Sequence, residues 1–215
     1  MSVDPQRPEG FQRVSAALAA RGHAHAPVWL EVPARTSQEA ADALGVAVGQ
    51  IAKSVIFRRK SDDAAVLVVT SGDRRVDEQR VAALTGALGR ADADFVKAKT
   101  GFSIGGVAPL AHAEPAVTLI DRELFRFEQI WAAAGHPNGV FRLSPDELRA
   151  LTGAPVEDVV VAEERAERRA APSRPAVPSG DRPTYPSDEG LTAMPCSATR
   201  SRTAAAPSST LNSRG

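Results

Sequence analysis

The segment TGFSIGGVAPLAH, residues 100–112, offers two different chemistries from overlapping residues. Gly101-Phe102-Ser103-Ile104-Gly105 matches G-x-S-x-G, the strained turn that lifts a serine nucleophile into the open. Gly105-Gly106-Val107-Ala108-Pro109 has instead the makings of a backbone cradle. Glycine lets a ligand approach the main chain, and consecutive N–H and C=O groups can then hold an ester carbonyl and orient a water. The flanks favour the cradle. A nucleophile elbow needs a strand leading in and a helix leading out. Here the segment leading in, DADFVKAKTG, is helical in pattern, and GGVAP is a poor helix start, because glycines form helices badly and Pro109 pushes Ala108 toward extended conformations. Asp121 and His136 do follow Ser103 in the chain order of a triad, so a small-molecule serine esterase remains the main enzymatic rival. A non-catalytic domain that holds an aminoacyl or nucleotide-like ligand in the cradle is the second.

Other chemical patterns are incomplete. Lys99-Thr100-Gly101 has no S-x-x-K partner in the body, and His112-Ala113-Glu114 lacks the second cysteine of a zinc deaminase, since Cys196 is the one cysteine. His23-Ala24-His25 reads as surface histidines after a helix stop, with no third metal ligand evident. The phosphate-binding loops G-x-x-x-x-G-K-[ST] and G-x-G-x-x-G are both missing. No metal and no cofactor are expected. Lys53, in the middle of the strand-like IAKSVIF, lies on the face opposite Ala52 and Ser54, and reads from its own surroundings as a gatekeeper of an edge strand or as a site amine.

The elements that must position these residues are legible from periodicity and caps. Phe11, Val14, Ala17 and Leu18 repeat at helical spacing up to Gly22. APVWLEVP looks extended. Thr36 and Glu39 make a capping box for a helix ending at Gly45. IAKSVIFRR and AAVLVVTSG, separated by KSDD, read as a hairpin. Helical patterns follow in DEQRVAALTG and DADFVKAKTG. Beyond the glycine loop come AVTLID, a short RELFRF segment, QIWAAAG and GVFRLS, then a helix capped by Ser144, Pro145 and Glu147 and stopped at Gly153, and finally VEDVVV. Strand pairs with short turns and no regular βαβ repeat predict a mixed α+β fold around a mixed sheet.

Composition sets the outer bounds. The chain has 215 residues, is 43% apolar and carries no formal net charge, which argues against binding that rests on many duplex phosphates. A single cysteine precludes an internal disulfide framework. The N-terminus lacks a signal-peptide pattern and no apolar run is long enough to span a membrane, so a cytoplasmic protein is expected. Composition shifts near Val161. Residues 163–215 are rich in Pro, Ser, Ala and Arg and poor in large apolar side chains, and read as a disordered tail after a folded body of residues 1–162.

Three separated motifs, QIAKSVIFR, KAKTGFSIGGVAPLAH and AAGHPNGVFRLSPDELRALTG, in that order, resemble the YbaK/prolyl-tRNA-synthetase-associated family of aminoacyl-tRNA deacylases. The likeness covers essentially the whole body and leaves out the tail. It implies a strongly curved, barrel-like mixed sheet flanked by helices, and hydrolysis of the ester that joins a wrong amino acid to a tRNA, with a mischarged tRNA-Pro or a similar small-amino-acid substrate in view. By the same resemblance Lys53, Gly105 and Gly106 are the expected catalytic residues. Phe102, Val107, Ala108, Pro109, Gly135 and His136 are the expected substrate contacts; His136 either narrows the amino-acid pocket or serves as a capping or packing histidine beside the Pro137 turn. Aromatic platforms for bases are scarce at 5% of residues, which confines the expected RNA contact to the acceptor end. Arg58, Arg59 and Lys60 beside the Lys53 strand, with Lys97 and Lys99 before the loop, are the candidate phosphate contacts. The implied partners are the acceptor end of a tRNA carrying a wrong amino acid and an aminoacyl-tRNA synthetase, with no membrane.

Overall fold

Side chains of a strand alternate between two faces, and here the central hairpin uses both faces for burial. The structure is a computed structural model that describes residues 6–161. The expected tail, with Cys196, lies outside the described residues. Strand β3 (Ala65–Ser71) is buried along its whole length. Leu67 and Val69 enter the main core with Phe102, Ala108, Ile120 and Phe141, while Val66 and Val68 enter a second cluster with Phe57, Val81, Leu119 and Val159. That explains the unbroken apolar run AAVLVV.

The sheet has eight strands and mixes both pairing senses. β1 (Val28–Trp29) pairs with β7 (Gly139–Leu143), β7 with β6 (Ile130–Ala133), and β6 runs parallel to the start of β2 (Ile51–Arg59). β2 and β3 form the hairpin, registered from Ala52 opposite Ser71 to Arg58 opposite Ala65. β3 is parallel to β5 (Val117–Asp121), and β5 to β8 (Val156–Glu157). β4 (Leu88–Arg90) joins the far end of β2. The non-hairpin edge of β2 therefore meets β6 only at Ile51 and Ala52, and β4 only at Phe57 to Arg59. Among the described residues no strand covers that edge at residues 53–56, so the sheet is split beside Lys53.

Helices α1 (Glu9–Ala20), α2 (Ser37–Leu44), α3 (Glu78–Thr85), α4 (Ala93–Thr100) and α5 (Pro145–Thr152) flank the sheet. Both expected capping boxes form, at Thr36 with Glu39 and at Ser144 with Glu147. Two expectations need correction. APVWLEVP contributes only two strand residues, since Pro27 and Pro33 have no N–H for a ladder. His23 is not a surface histidine: it is 9% exposed, with its Nε2 2.9 Å from the Arg142 carbonyl and its Nδ1 3.8 Å from Glu147.

Candidate functional site

The site begins with a loop that is buried where loops are usually exposed. After α4 ends at Gly101, residues 106–110 are all buried, and Val107, Ala108 and Leu110 belong to the main core. Gly105 has φ +88°, a conformation that L side chains rarely adopt. Gly106 is needed for a different reason: a Cβ there would lie 2.7–2.9 Å from the Cα, carbonyl carbon and nitrogen of His136. The loop thus packs main chain to main chain against the 135–138 segment, and the second and third sequence motifs meet. His112 closes the loop from below, its Nε2 2.8 Å from the Ala108 carbonyl, with burial pushing the imidazole pKa down.

Beside the split in the sheet lies a cavity of about 610 Å³. Lys53 lines it together with Gly105 and Val107 of the loop. Val48, Ile51, Trp131, Ala132 and Val140 supply an apolar wall, and Arg35, Thr36, Ser37 and Gln38 form the rim at the start of α2. Lys53 Nζ donates to the carbonyl of Arg74 at 2.6 Å. Arg74 itself is 7% exposed and reaches Glu123 at 3.3 Å, so the turn that orients the lysine is tied to the short helical segment after β5.

Behind Lys53 the same face of the sheet continues into a polar row. Lys53 is registered opposite Thr70, and the Thr70 hydroxyl donates to Asp121 Oδ2 at 3.2 Å. Asp121 is fully buried, and burial pushes its pKa up to about 6 against the pull of Thr70 and of the nearby Val159 and Glu123 amides. Two further polar atoms on cavity-lining residues, Ser54 Oγ and Trp131 Nε1, are buried without a hydrogen-bond partner among the described residues.

The other expected site residues sort by what they touch. Gly106, Ala108 and Pro109 are buried in the loop rather than lining the cavity. The Gly106 N–H donates to the Ser103 carbonyl at 3.0 Å and is thereby used within the turn. Phe102 is a core side chain under the Arg13 guanidinium, and Gly135 is packed against Gly10 and Phe102. The His136 ring stacks on Trp29 at 4.9 Å and accepts from the Asn138 N–H at 3.2 Å. It is Pro137 of that segment and Gly139 at the start of β7 that line the cavity, while the His136 ring is turned toward Trp29. Ser103 is exposed and has α4 before it and no helix after it, so the strand–turn–helix frame of a nucleophile elbow is missing.

The expected phosphate contacts are largely occupied. Arg58 pairs with Asp63, Arg59 pairs with Asp62 through two bonds of 2.8 and 2.6 Å, and Lys99 pairs with Glu114 at 2.8 Å. Lys97 donates to the Gly101 carbonyl at 3.1 Å, capping the end of its own helix. Lys60 is exposed at the hairpin tip. Arg58 stands five residues beyond Lys53 along β2, about 17 Å at ~3.3 Å per residue.

The sequence reading missed Arg35, Gly72 and Trp131. The box at Thr36 signalled a helix start, but nothing local signals that this start opens onto the Gly105 loop.

Comparison with known proteins agrees with this architecture. Residues 31–151 match the model of the aminoacyl-tRNA editing domain. The uncharacterized protein YwhH of Bacillus subtilis (strain 168) is 34% identical over 119 residues, 55% of this chain and 75% of its own length. A crystal structure described as a candidate trans-editing enzyme for prolyl tRNA synthetase is 39% identical, with a TM-score of 0.68 over 73% of this chain and 99% of its own. The hypothetical protein APE2540 is 33% identical with a TM-score of 0.64, covering 69% of this chain and 99% of its own. With a split mixed sheet, a buried glycine loop and a family model matched across more than half of its length, the chain belongs to the aminoacyl-tRNA editing domain family.

Proposed function

We propose that the protein is a trans-acting deacylase that hydrolyses the ester of mischarged aminoacyl-tRNA, the catalytic unit being residues 1–162. The observation that carries the reading is the shared cavity: Lys53, Gly105 and Val107 line one volume of about 610 Å³, within the usual range for a small-ligand site of roughly 300–1,000 Å³. An aminoacyl ester is already activated, so hydrolysis needs positioning and oxyanion stabilisation more than a protein nucleophile. A water, oriented by the vicinal ribose hydroxyl, attacks the carbonyl carbon and gives up a proton as it does so. The developing oxyanion is met by the Lys53 ammonium and the loop amides, the bond to the ribose oxygen breaks, and that oxygen takes a proton. Free amino acid and uncharged tRNA leave.

The apolar wall suits a small side chain. Together with the similarity to a structure described as a candidate trans-editing enzyme for prolyl tRNA synthetase, it favours tRNA-Pro carrying a wrong small amino acid. A separate hydrolytic site is useful there because one methylene gives a synthetase only about 1–3 kcal/mol of discrimination. The partners are then the tRNA acceptor end and the synthetase whose errors are corrected, in the cytoplasm where aminoacyl-tRNAs are used. No helix among the described residues is long and apolar enough to cross a membrane.

Single-turnover deacylation of a panel of mischarged tRNAs tests the reading. Lys53→Ala is expected to lose on the order of a hundredfold, the scale of a missing oxyanion donor. Ser103→Ala is expected to keep nearly full activity. A Ser103→Ala protein without activity, with Ser103 labelled by a fluorophosphonate in the wild type, would replace this mechanism by that of a serine esterase.

A further inference from the structure

We infer that Arg35 is a phosphate-binding residue that takes the last internucleotide phosphate of the RNA end at the mouth of the cavity. The inference rests on the editing reading for the identity of the ligand. Its own basis is one exposed guanidinium at the mouth of the cavity.

Arg35 lines the cavity and is exposed at its rim. Its backbone sits on the glycine loop: a Cβ built on Gly105 would lie 3.5 Å from the Arg35 Cα and 3.7 Å from its Cβ. The main chain there is pinned on both sides. The Ala34 N–H donates to the Pro137 carbonyl at 2.9 Å, and the Arg35 N–H donates to Glu39 Oε2 at 2.7 Å. Glu39 is the nearby acid; its carboxylate accepts from the Arg35 and Thr36 amides, which together with the charge of Arg35 itself hold its pKa down. The Arg35 guanidinium makes no hydrogen bond or ion pair among the described residues.

The contrast with the other candidate cations is direct. Arg58, Arg59 and Lys99 each face a carboxylate of their own, and Lys97 is on a helix-end carbonyl. Lys53 lines the same cavity, yet its amine is turned to the Arg74 carbonyl. A guanidinium on a fixed backbone, beside the loop proposed to hold the ester, suits one phosphate oxygen pair through its planar fork. In an aminoacyl-tRNA the last internucleotide phosphate is one ribose away from that ester, so both can be held together. The first turn of α2, with Thr36, Ser37 and Gln38 on the rim, adds a positive dipole end without being the basis of the assignment.

The test uses the full chain and a short RNA ending in CCA, with alanine amide-linked at the 3′ end so that it cannot be hydrolysed. Binding is read by fluorescence anisotropy across 50–200 mM salt. A second RNA carries a neutral methylphosphonate at the last linkage. Arg35→Ala is expected to weaken binding of the charged RNA about tenfold and to lower the salt slope by about 0.7, the single-strand value per phosphate. Arg35→Lys is expected to fall between. The neutral linkage is expected to weaken the wild type equally and to add nothing to Arg35→Ala, as for two groups in one contact. Arg35→Ala binding like the wild type, or losses that simply add, would overturn the assignment. An ester-linked RNA run in parallel separates the two readings. A wild type that binds in this Arg35-dependent way but releases no amino acid sinks the deacylase and leaves the phosphate site. A wild type that binds neither RNA overturns both.

Discussion

The rim of the cavity and the tip of the β2–β3 hairpin each carry arginine, and the folded chain treats the two in opposite ways. At the tip, Arg58 and Arg59 are answered by Asp63 and Asp62, and the Arg59 hydrogen bonds hold Asp62 down to about pKa 2. At the rim, the Arg35 guanidinium makes no hydrogen bond or ion pair among the described residues, and the carboxylate of nearby Glu39 accepts from the Arg35 and Thr36 amides. A cation near a site matters only if its field reaches the ligand, and exposed pairs that neutralise one another present little of it. The hairpin tip is about five strand residues from Lys53, or roughly 17 Å. The rim is at the cavity itself.

That comparison can be broken or sharpened in steps. The largest effect belongs to the cavity wall, where Lys53→Ala should cost on the order of a hundredfold in single-turnover rate. Hundredfold loss from a tip residue instead would reverse the assignment of the two regions. Next comes the loop. Gly106→Ala should lower kcat/KM by tens of fold, because a methyl group 2.7 Å from the His136 Cα forces the loop or the 135–138 segment to move, and displacements of about 1 Å can cost as much as a hundredfold. An active Gly106→Ala protein with an unshifted melting temperature would show that loop placement is not critical.

The polar row behind Lys53 is read by stability rather than rate. Asp121 holds its proton up to about pH 6 when folded, against an ordinary value of 3.8. Between those values the folded state binds the extra proton, so stability falls as pH rises through this window. Asp121→Asn can still accept from Thr70 and carries no charge to bury. It should raise the melting temperature at pH 7.5 while leaving it nearly unchanged at pH 4. Thermal melts from pH 4 to 8 check this, and a variant that keeps the wild-type slope would remove Asp121 as its source. The smallest effects belong to the tip. Arg58→Ala, Arg59→Ala and Lys60→Ala are each expected to change RNA-end binding by less than about twofold, with a salt slope like that of the wild type. A slope that falls by one phosphate equivalent in any of them would return the tip to the binding surface.

Much of the fold was legible because its signals are local. The box at Thr36 and Glu39, the Ser144-Pro145-Glu147 start and the glycine stops at Gly45, Gly101 and Gly153 each act within a turn of chain, and each marks a helix boundary in the structure. The hairpin followed from two β-branched runs with a polar spacer. β4 was missed because Leu88-Gly89-Arg90 is too short and too weak in propensity to announce a strand; it exists because β2 offers it an edge. The site was half legible. Lys53 and the glycine loop were visible from their motifs. The packing roles of Phe102 and Gly135 were not, and for His136 packing and pocket lining stayed open, since a residue beside a pocket and a residue lining it look alike in sequence.

The amino-acid order by itself determined where helices start and stop, which run forms the central hairpin, and that small residues occupy 105–109, because caps, periodicity and backbone freedom depend on neighbours a few positions away. Only the tertiary structure decided that Lys53 turns to the Arg74 carbonyl, that Gly106 lies on the His136 backbone, and that Arg58 meets Asp63 while Arg35 stands at the cavity rim. Those outcomes depend on strand register and on which distant acids come within reach, and electrostatic and steric contacts act through space rather than along the chain.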